Sequence, residues 1–146
     1  MIETISAGDS TLAIIIRTQY CQPGIQFVTP DDFSQQLAYM QRPAGYVIQP
    51  HVHNAVRREV QFTKEVLFIK SGRVRVDFYD DNQRYLESTV LCQGDVILLA
   101  FGGHGFEMLE QAEIIEVKQG PYAGDQDKTR FTSIDPALIK LRGPQA

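Results

Sequence analysis

The sequence offers little with which to cross a membrane, build a repeat or hold nucleic acid. The apolar run closest to the N-terminus, Leu12 to Ile16, is far too short to span a bilayer. The opening MIETISAGDS has no basic stretch leading into an apolar core, so no signal peptide is expected. Arg57-Arg58 is the one adjacent basic pair, and the net charge is −4, which argues against nucleic acid as a partner. Cysteine is scarce. Cys21 and Cys92 lie far apart without C-x-x-C spacing and read as two buried free thiols in a reducing cytoplasm. There is no heptad pattern, no low-complexity stretch, no Gly-rich phosphate loop and no G-x-S-x-G elbow. These absences leave a soluble cytoplasmic protein as the expectation.

What is present suits one globular domain over 1–146. The chain has 146 residues, 43% of them hydrophobic and 22% charged, enough to bury a core without disulfide staples. Short β-type runs separated by turn residues dominate. They are Leu12 to Arg17, Gly24 to Val28, Gln36 to Arg42, Tyr46 to His53, Glu65 to Lys70, Arg73 to Tyr79, Tyr85 to Leu91, Asp95 to Phe101, His104 to Leu109 and Glu113 to Lys118. Turns are expected at Gln22-Pro-Gly24, Thr29-Pro-Asp-Asp32, Ser71-Gly72 and Asp80-Asp-Asn82. The clearest alternation puts Val74, Val76 and Phe78 on one face and Arg73, Arg75 and Asp77 on the other. Strands at such spacing predict an all-β sandwich or barrel. Only the tail looks helical, with Asp135 as cap, Pro136 at the first helical position and Ala137 to Leu141 following. The aromatic and sulfur side chains Tyr39, Met40, Tyr46, Phe68, Phe78, Phe101 and Phe106 read as core or pocket wall.

The chemistry concentrates in Gly45-Tyr-Val-Ile-Gln-Pro-His51-Val-His53. Side chains at i and i+2 of a strand share a face, so His51 and His53 can converge on one ion, with Gln49 beside them as an orienting hydrogen-bond group. Pro50 cannot donate to a ladder and points to an edge or a bulge. All three histidines of the chain are His51, His53 and His104. Glu65 shares a face with Leu67 and Ile69, where a carboxylate is costly unless paired or metal-bound. Arg57 and Arg58 offer planar donor forks for a phosphate or carboxylate.

Here the chain resembles the cupin superfamily. The first cupin motif, G-x5-H-x-H-x(3,4)-E-x6-G, is matched by Gly45, His51, His53, Glu65 and Gly72, except that eleven residues separate His53 from Glu65. That longer insertion carries Arg57, Arg58 and Glu59, and it makes Glu59 a rival ligand; Glu65 is preferred because it keeps the six-residue step to Gly72. The second motif, G-x5-P-x-G-x2-H-x3-N, is echoed by Gly94, Ala100, Gly102 and His104, with Ala100 in the proline position and Met108 where the asparagine would stand. The tail, Ile115-Glu-Val-Lys-Gln-Gly-Pro-Tyr122 followed by Gly124-Asp-Gln-Asp127 and Arg130-Phe131, is similar to the end of mannose-phosphate-isomerase-type cupins.

The resemblance implies an antiparallel jelly-roll β-barrel, with the metal-site motifs in 45–108, N-terminal strands 1–44 at a homodimer interface and a tail at 119–146. It implies a divalent metal, Zn, Mn, Ni or Fe, held by His51, His53 and Glu65, with His104 as fourth ligand. It further implies a sugar-like or sugar-phosphate ligand and a sugar isomerase or epimerase, with Glu59, Tyr46 and Tyr39 as unranked candidates for proton transfer. Gln49, Arg57 and Arg58 would bind the ligand. The same ligand set would serve an Fe-dependent dioxygenase, and a non-enzymatic small-molecule-binding protein fits the same residues.

Overall fold

The structure, a computed structural model, describes residues 1–143. It is all-β with antiparallel sheets. Ten strands form among the described residues: β1 (Ile2–Ala7), β2 (Ser10–Ile16), β3 (Gly24–Phe27), β4 (Ala38–Gln41), β5 (Glu65–Ser71), β6 (Arg73–Tyr79), β7 (Tyr85–Cys92), β8 (Val96–Leu99), β9 (Gly103–Met108) and β10 (Glu113–Lys118). One sheet has the order β1-β2-β8-β5-β10 and a second has the order β7-β6-β9, while β3 and β4 pair as a separate hairpin.

The core is the cluster of apolar side chains shared by the two larger sheets. Ala13, Ile15, Leu67, Ile69, Ile97 and Leu99 come from the five-stranded sheet. Val74, Val76, Phe78 and Leu91 come from the three-stranded one. Each fully buried aliphatic or aromatic chain contributes about 1.5–3 kcal/mol relative to exposure. The alternation along β6 sets its inner face as expected: Val74, Val76 and Phe78 are buried. Its other face is not solvated. Asp77 is buried too, gripped by both Arg75 nitrogens at 2.8 and 3.0 Å and by the Ser88 hydroxyl at 2.5 Å.

Ser71-Gly72 does make a tight turn, and it carries the chain from one sheet to the other, since β5 pairs with β8 and β10 while β6 pairs with β7 and β9. Gly72 holds φ +79°, and a Cβ there would collide with the Gln111 carbonyl. At this end of the sandwich Asp95, 2% exposed, accepts from Arg17 Nη1 at 2.9 Å, from the Thr18 amide at 2.8 Å and from the Cys92 amide at 3.0 Å. Arg17 also donates to Glu3, Thr89 and the Val90 carbonyl. One ion-pair network therefore joins β1, β2, β7 and β8.

Several expectations are corrected. Tyr46 to His53 forms no strand: the run is exposed and unpaired among the described residues, and Pro50 removes one of the amides that a ladder would use. The tail forms no α-helix. Asp135 does cap, accepting from the Ala137 amide at 2.9 Å, but only a 3-10 turn, Pro136–Leu138, follows. The chain then extends, because Ser88 donates to the Lys140 carbonyl at 2.8 Å and accepts from the Arg142 amide at 2.7 Å. Tertiary pairing with β7 wins over local helix propensity. β1 was not among the expected strands; Ile5 is its only buried residue, too little to mark an alternation. Cys21 is exposed and Cys92 partly covered, and both are free. Met40, Tyr46, Phe68 and Phe106 lie exposed rather than in the core. No helix among the described residues is long and apolar enough to cross a membrane.

Asp95→Ala should cost about 1–3 kcal/mol or more in urea unfolding, because the Thr18 and Cys92 amides lose their acceptor while Arg17 keeps its pair with Glu3. Glu113→Ala breaks the exposed Lys70–Glu113 pair and should leave the unfolding midpoint near the wild-type value.

Candidate functional site

The opposite end of the sandwich is open. Glu65 begins β5 and pairs in register with Leu99, the last residue of β8. His104 sits near the start of β9, opposite Phe78 of β6. Neither pairing joins β5 to β9, yet their side chains meet, with His104 Nε2 lying 3.2 Å from Glu65 Oε2. Both are largely covered, at 15% exposure for the carboxylate and 28% for the imidazole. Lys118 Nζ stands 3.9 Å from the other carboxylate oxygen. The imidazole hydrogen bond holds the Glu65 carboxyl below the usual carboxylate range; burial opposes this, and the charges of His104 and Lys118 reinforce it.

The pair lines a cleft of about 770 Å³. One side is aromatic: Phe62 meets Phe101 edge to face at 5.3 Å, and Phe131 meets Tyr79 at 5.0 Å. Gly103 is needed at the floor, since a Cβ there would come within 2.9 Å of the Phe131 ring. The rim is polar. Asp80 and Asp81 come from the β6–β7 hairpin, Asp127 from the end of the 3-10 turn Gly124–Asp127, and Lys128 to Arg130 from the chain after it. A cavity of this size with aromatic walls and few convergent polar groups is what a small polar ligand requires.

The sequence candidates divide into two groups. Glu65 and His104 come together. His51 and His53 lie elsewhere, on the exposed stretch 42–62, with their rings 5.3 Å apart. His51 Nδ1 faces the Gln49 carbonyl at 2.9 Å, which leaves Nε2 outward. Gln49 itself, Arg57, Arg58 and Glu59 are exposed and do not line the cleft. The closest partner of Arg58 is the Val56 carbonyl at 3.5 Å. Tyr46 is exposed with Arg42 over its ring, and Tyr39 packs on Tyr20; neither reaches the cleft. The sequence reading missed Phe62, Tyr79, Lys128 and Phe131 as cleft residues. Only Arg130-Phe131 had been singled out, as part of the tail.

The candidate donors have chemistry suited to a divalent metal. Two ligands of one ion, each at about 2.0–2.2 Å, sit roughly 3 Å apart, and the Glu65–His104 separation matches that. The backbone-anchored Nδ1 of His51 matches the way metal-bound imidazoles are oriented. Both halves fit an ion by their chemistry, but among the described residues no group of three or more His, Cys, Asp or Glu is gathered at one point.

A depressed carboxyl pKa stabilises the fold above the ordinary carboxylate range, and that contribution disappears as pH falls through the lowered folded value. The stability advantage of wild type over Glu65→Gln should therefore be full at neutral pH and shrink in acid. Urea midpoints measured between pH 7 and pH 3 would show it. A constant difference across that range would mean that the carboxylate form is not what Glu65 contributes.

No protein-family model, curated protein or solved structure matches this chain.

Proposed function

We propose that this chain is a metal-binding, cupin-like protein whose cleft takes a small sugar-like or sugar-phosphate ligand, and that it acts as an isomerase or epimerase. The observation that carries the reading is the meeting of Glu65 and His104 at 3.2 Å inside the cleft, from strands that do not pair. In this reading His51, His53, Glu65 and His104 hold the metal. A bound Zn, Mn, Ni or Fe would supply Lewis acidity toward a substrate carbonyl. The chain's own contribution is to hold the ligand between Phe62, Phe101 and Phe131 and to keep water from the reacting carbons.

The jelly-roll form of the fold belongs to the same proposal. β9 has a partner on only one side, β6, and β10 only β5. The stretch 42–64 exposes Val47, Ile48, Val52, Val56, Val60 and Phe62, a concentration of apolar surface that favours cover. Laying Tyr46 to His53 along the free edge of β9 would bury part of that surface and bring His51 and His53 toward His104. Phe68, Ile115 and Val117, exposed on neighbouring strands β5 and β10, support the homodimer as their cover.

Metal analysis of protein purified without a His-tag tests the ligand set. Wild type should carry stoichiometric metal. The His51→Ala/His53→Ala double variant and Glu65→Gln should each lose it while keeping the β-type circular dichroism, because none of these residues belongs to the apolar core. Full metal in the double variant would remove the histidine pair from the site. With a hexose 6-phosphate in D2O, an isomerase or epimerase exchanges a carbon-bound proton for deuterium; oxygen uptake by the Fe(II) form without such exchange would favour a dioxygenase instead.

A further inference from the structure

The charged groups around the cleft are answered by neighbours, with one exception. Asp80 accepts from the Asn82 and Arg84 amides and from Arg84 Nε. Asp81 accepts from the Asn82 side chain. Asp127 accepts from the Thr63 hydroxyl at 2.6 Å, and Glu65 is held between His104 and Lys118. Arg130 reaches Asp125 at 3.2 Å, with both side chains mostly in water. Lys128 has no ion-pair partner within 4.0 Å among the described residues, although it lines the cleft.

The backbone around Lys128 places this cation at the cleft. Lys128 is extended, at φ −148° and ψ 149°, and both Lys128 and Arg130 line the cleft. The segment is fixed on both flanks: Asp127 is tied to Thr63, and Phe131 packs on Tyr79 and over Gly103. Just beyond, the Ile134 amide donates to the Tyr79 hydroxyl at 2.9 Å. Two exposed cations, Lys128 without a carboxylate partner and Arg130 with only the exposed Asp125, line a cleft whose own carboxylates are already occupied.

We propose that Lys128 and Arg130 form the anion subsite of this cleft and take the phosphate group of a phosphorylated polyol or sugar, with the rest of the ligand lying toward Glu65 and His104. The proposal rests on the reading of the cleft as a sugar-type site and deepens it. It moves the anion contact from Arg57 and Arg58, which do not line the cleft, to the tail segment, which does. A phosphate oxygen gains charge-assisted hydrogen bonds from an ammonium and a guanidinium, and Lys128 has no carboxylate to give up.

Titration calorimetry with inorganic phosphate, a hexose 6-phosphate and the unphosphorylated hexose tests this on the intact protein, with metal content measured on each preparation. The Lys128→Ala/Arg130→Ala variant should bind both phosphorylated probes about tenfold or more weakly, the loss of charge-assisted hydrogen bonds. It should bind the neutral hexose as wild type does, and Lys128→Arg should restore most of the loss. Arg57→Ala/Arg58→Ala should bind phosphate like wild type. Equal phosphate affinity in wild type and Lys128→Ala/Arg130→Ala would overturn the subsite, as would loss confined to the Arg57/Arg58 variant or absence of phosphate binding by wild type. Wild type that lacks metal yet binds phosphate through Lys128 would support the subsite while contradicting the metal reading. Metal-loaded protein indifferent to Lys128 would do the reverse.

Discussion

The carboxylate of Asp95, buried in the β7–β8 turn, accepts from Arg17, the Thr18 amide and the Cys92 amide. Arg17 in turn reaches Glu3 on β1 and the Thr89 hydroxyl and Val90 carbonyl on β7. Removing such a carboxylate from water is unfavourable unless its lone pairs are filled, and here three donors fill them. The consequence is geometric. The turn that connects the two sheets is pinned to the end of β2, so the sandwich is closed at that end. The cleft lies at the other end of β8, roughly 13 Å away for four residues of strand.

At that open end the same physics gives a different result. Glu65 is drawn below the usual carboxylate range by His104, against the effect of burial, and has fewer partners than Asp95. A largely covered carboxylate and an imidazole facing a cavity form a site able to bind, whereas a fully satisfied carboxylate such as Asp95 forms a rivet. The aromatic walls and the tail segment complete the opening. The tail is held there by contacts on the outside of the three-stranded sheet, where Ser88 pairs with Lys140 and Arg142 and the Tyr85 hydroxyl accepts from the Lys140 amide at 2.9 Å. Tyr85 also packs on Tyr79 of the cleft at 5.7 Å, so these tail contacts adjoin the cleft wall.

The strands that flank the core were legible in the sequence because burial imposes a period of two. Val74, Val76 and Phe78 show it plainly, and the bounds of β5, β7 and β10 fall close to the sequence expectation. Tyr46 to His53 alternates as well, yet forms no strand here, because alternation reports which residues could share a face and not whether a neighbouring strand offers its edge. Glu65 and His104 were legible as candidates from their residue types and motif spacing. Their contact joins positions thirty-nine residues apart, which local pattern cannot encode. Lys128 was invisible for a different reason: it is an exposed lysine in a polar tail, and only the contacts of Asp127 with Thr63 and of Phe131 with Tyr79 bring its segment beside the cleft.

In the proposed metal site, the stretch carrying His51 and His53 lies over the cleft beside Glu65 and His104. Amide hydrogen exchange of the untagged protein, with and without added Mn(II), reads this directly. Metal should slow exchange across residues 46–53 and along β9 together, while β1 and β2 at the closed end stay as they were. Metal-independent, fast exchange over 46–53 would contradict it.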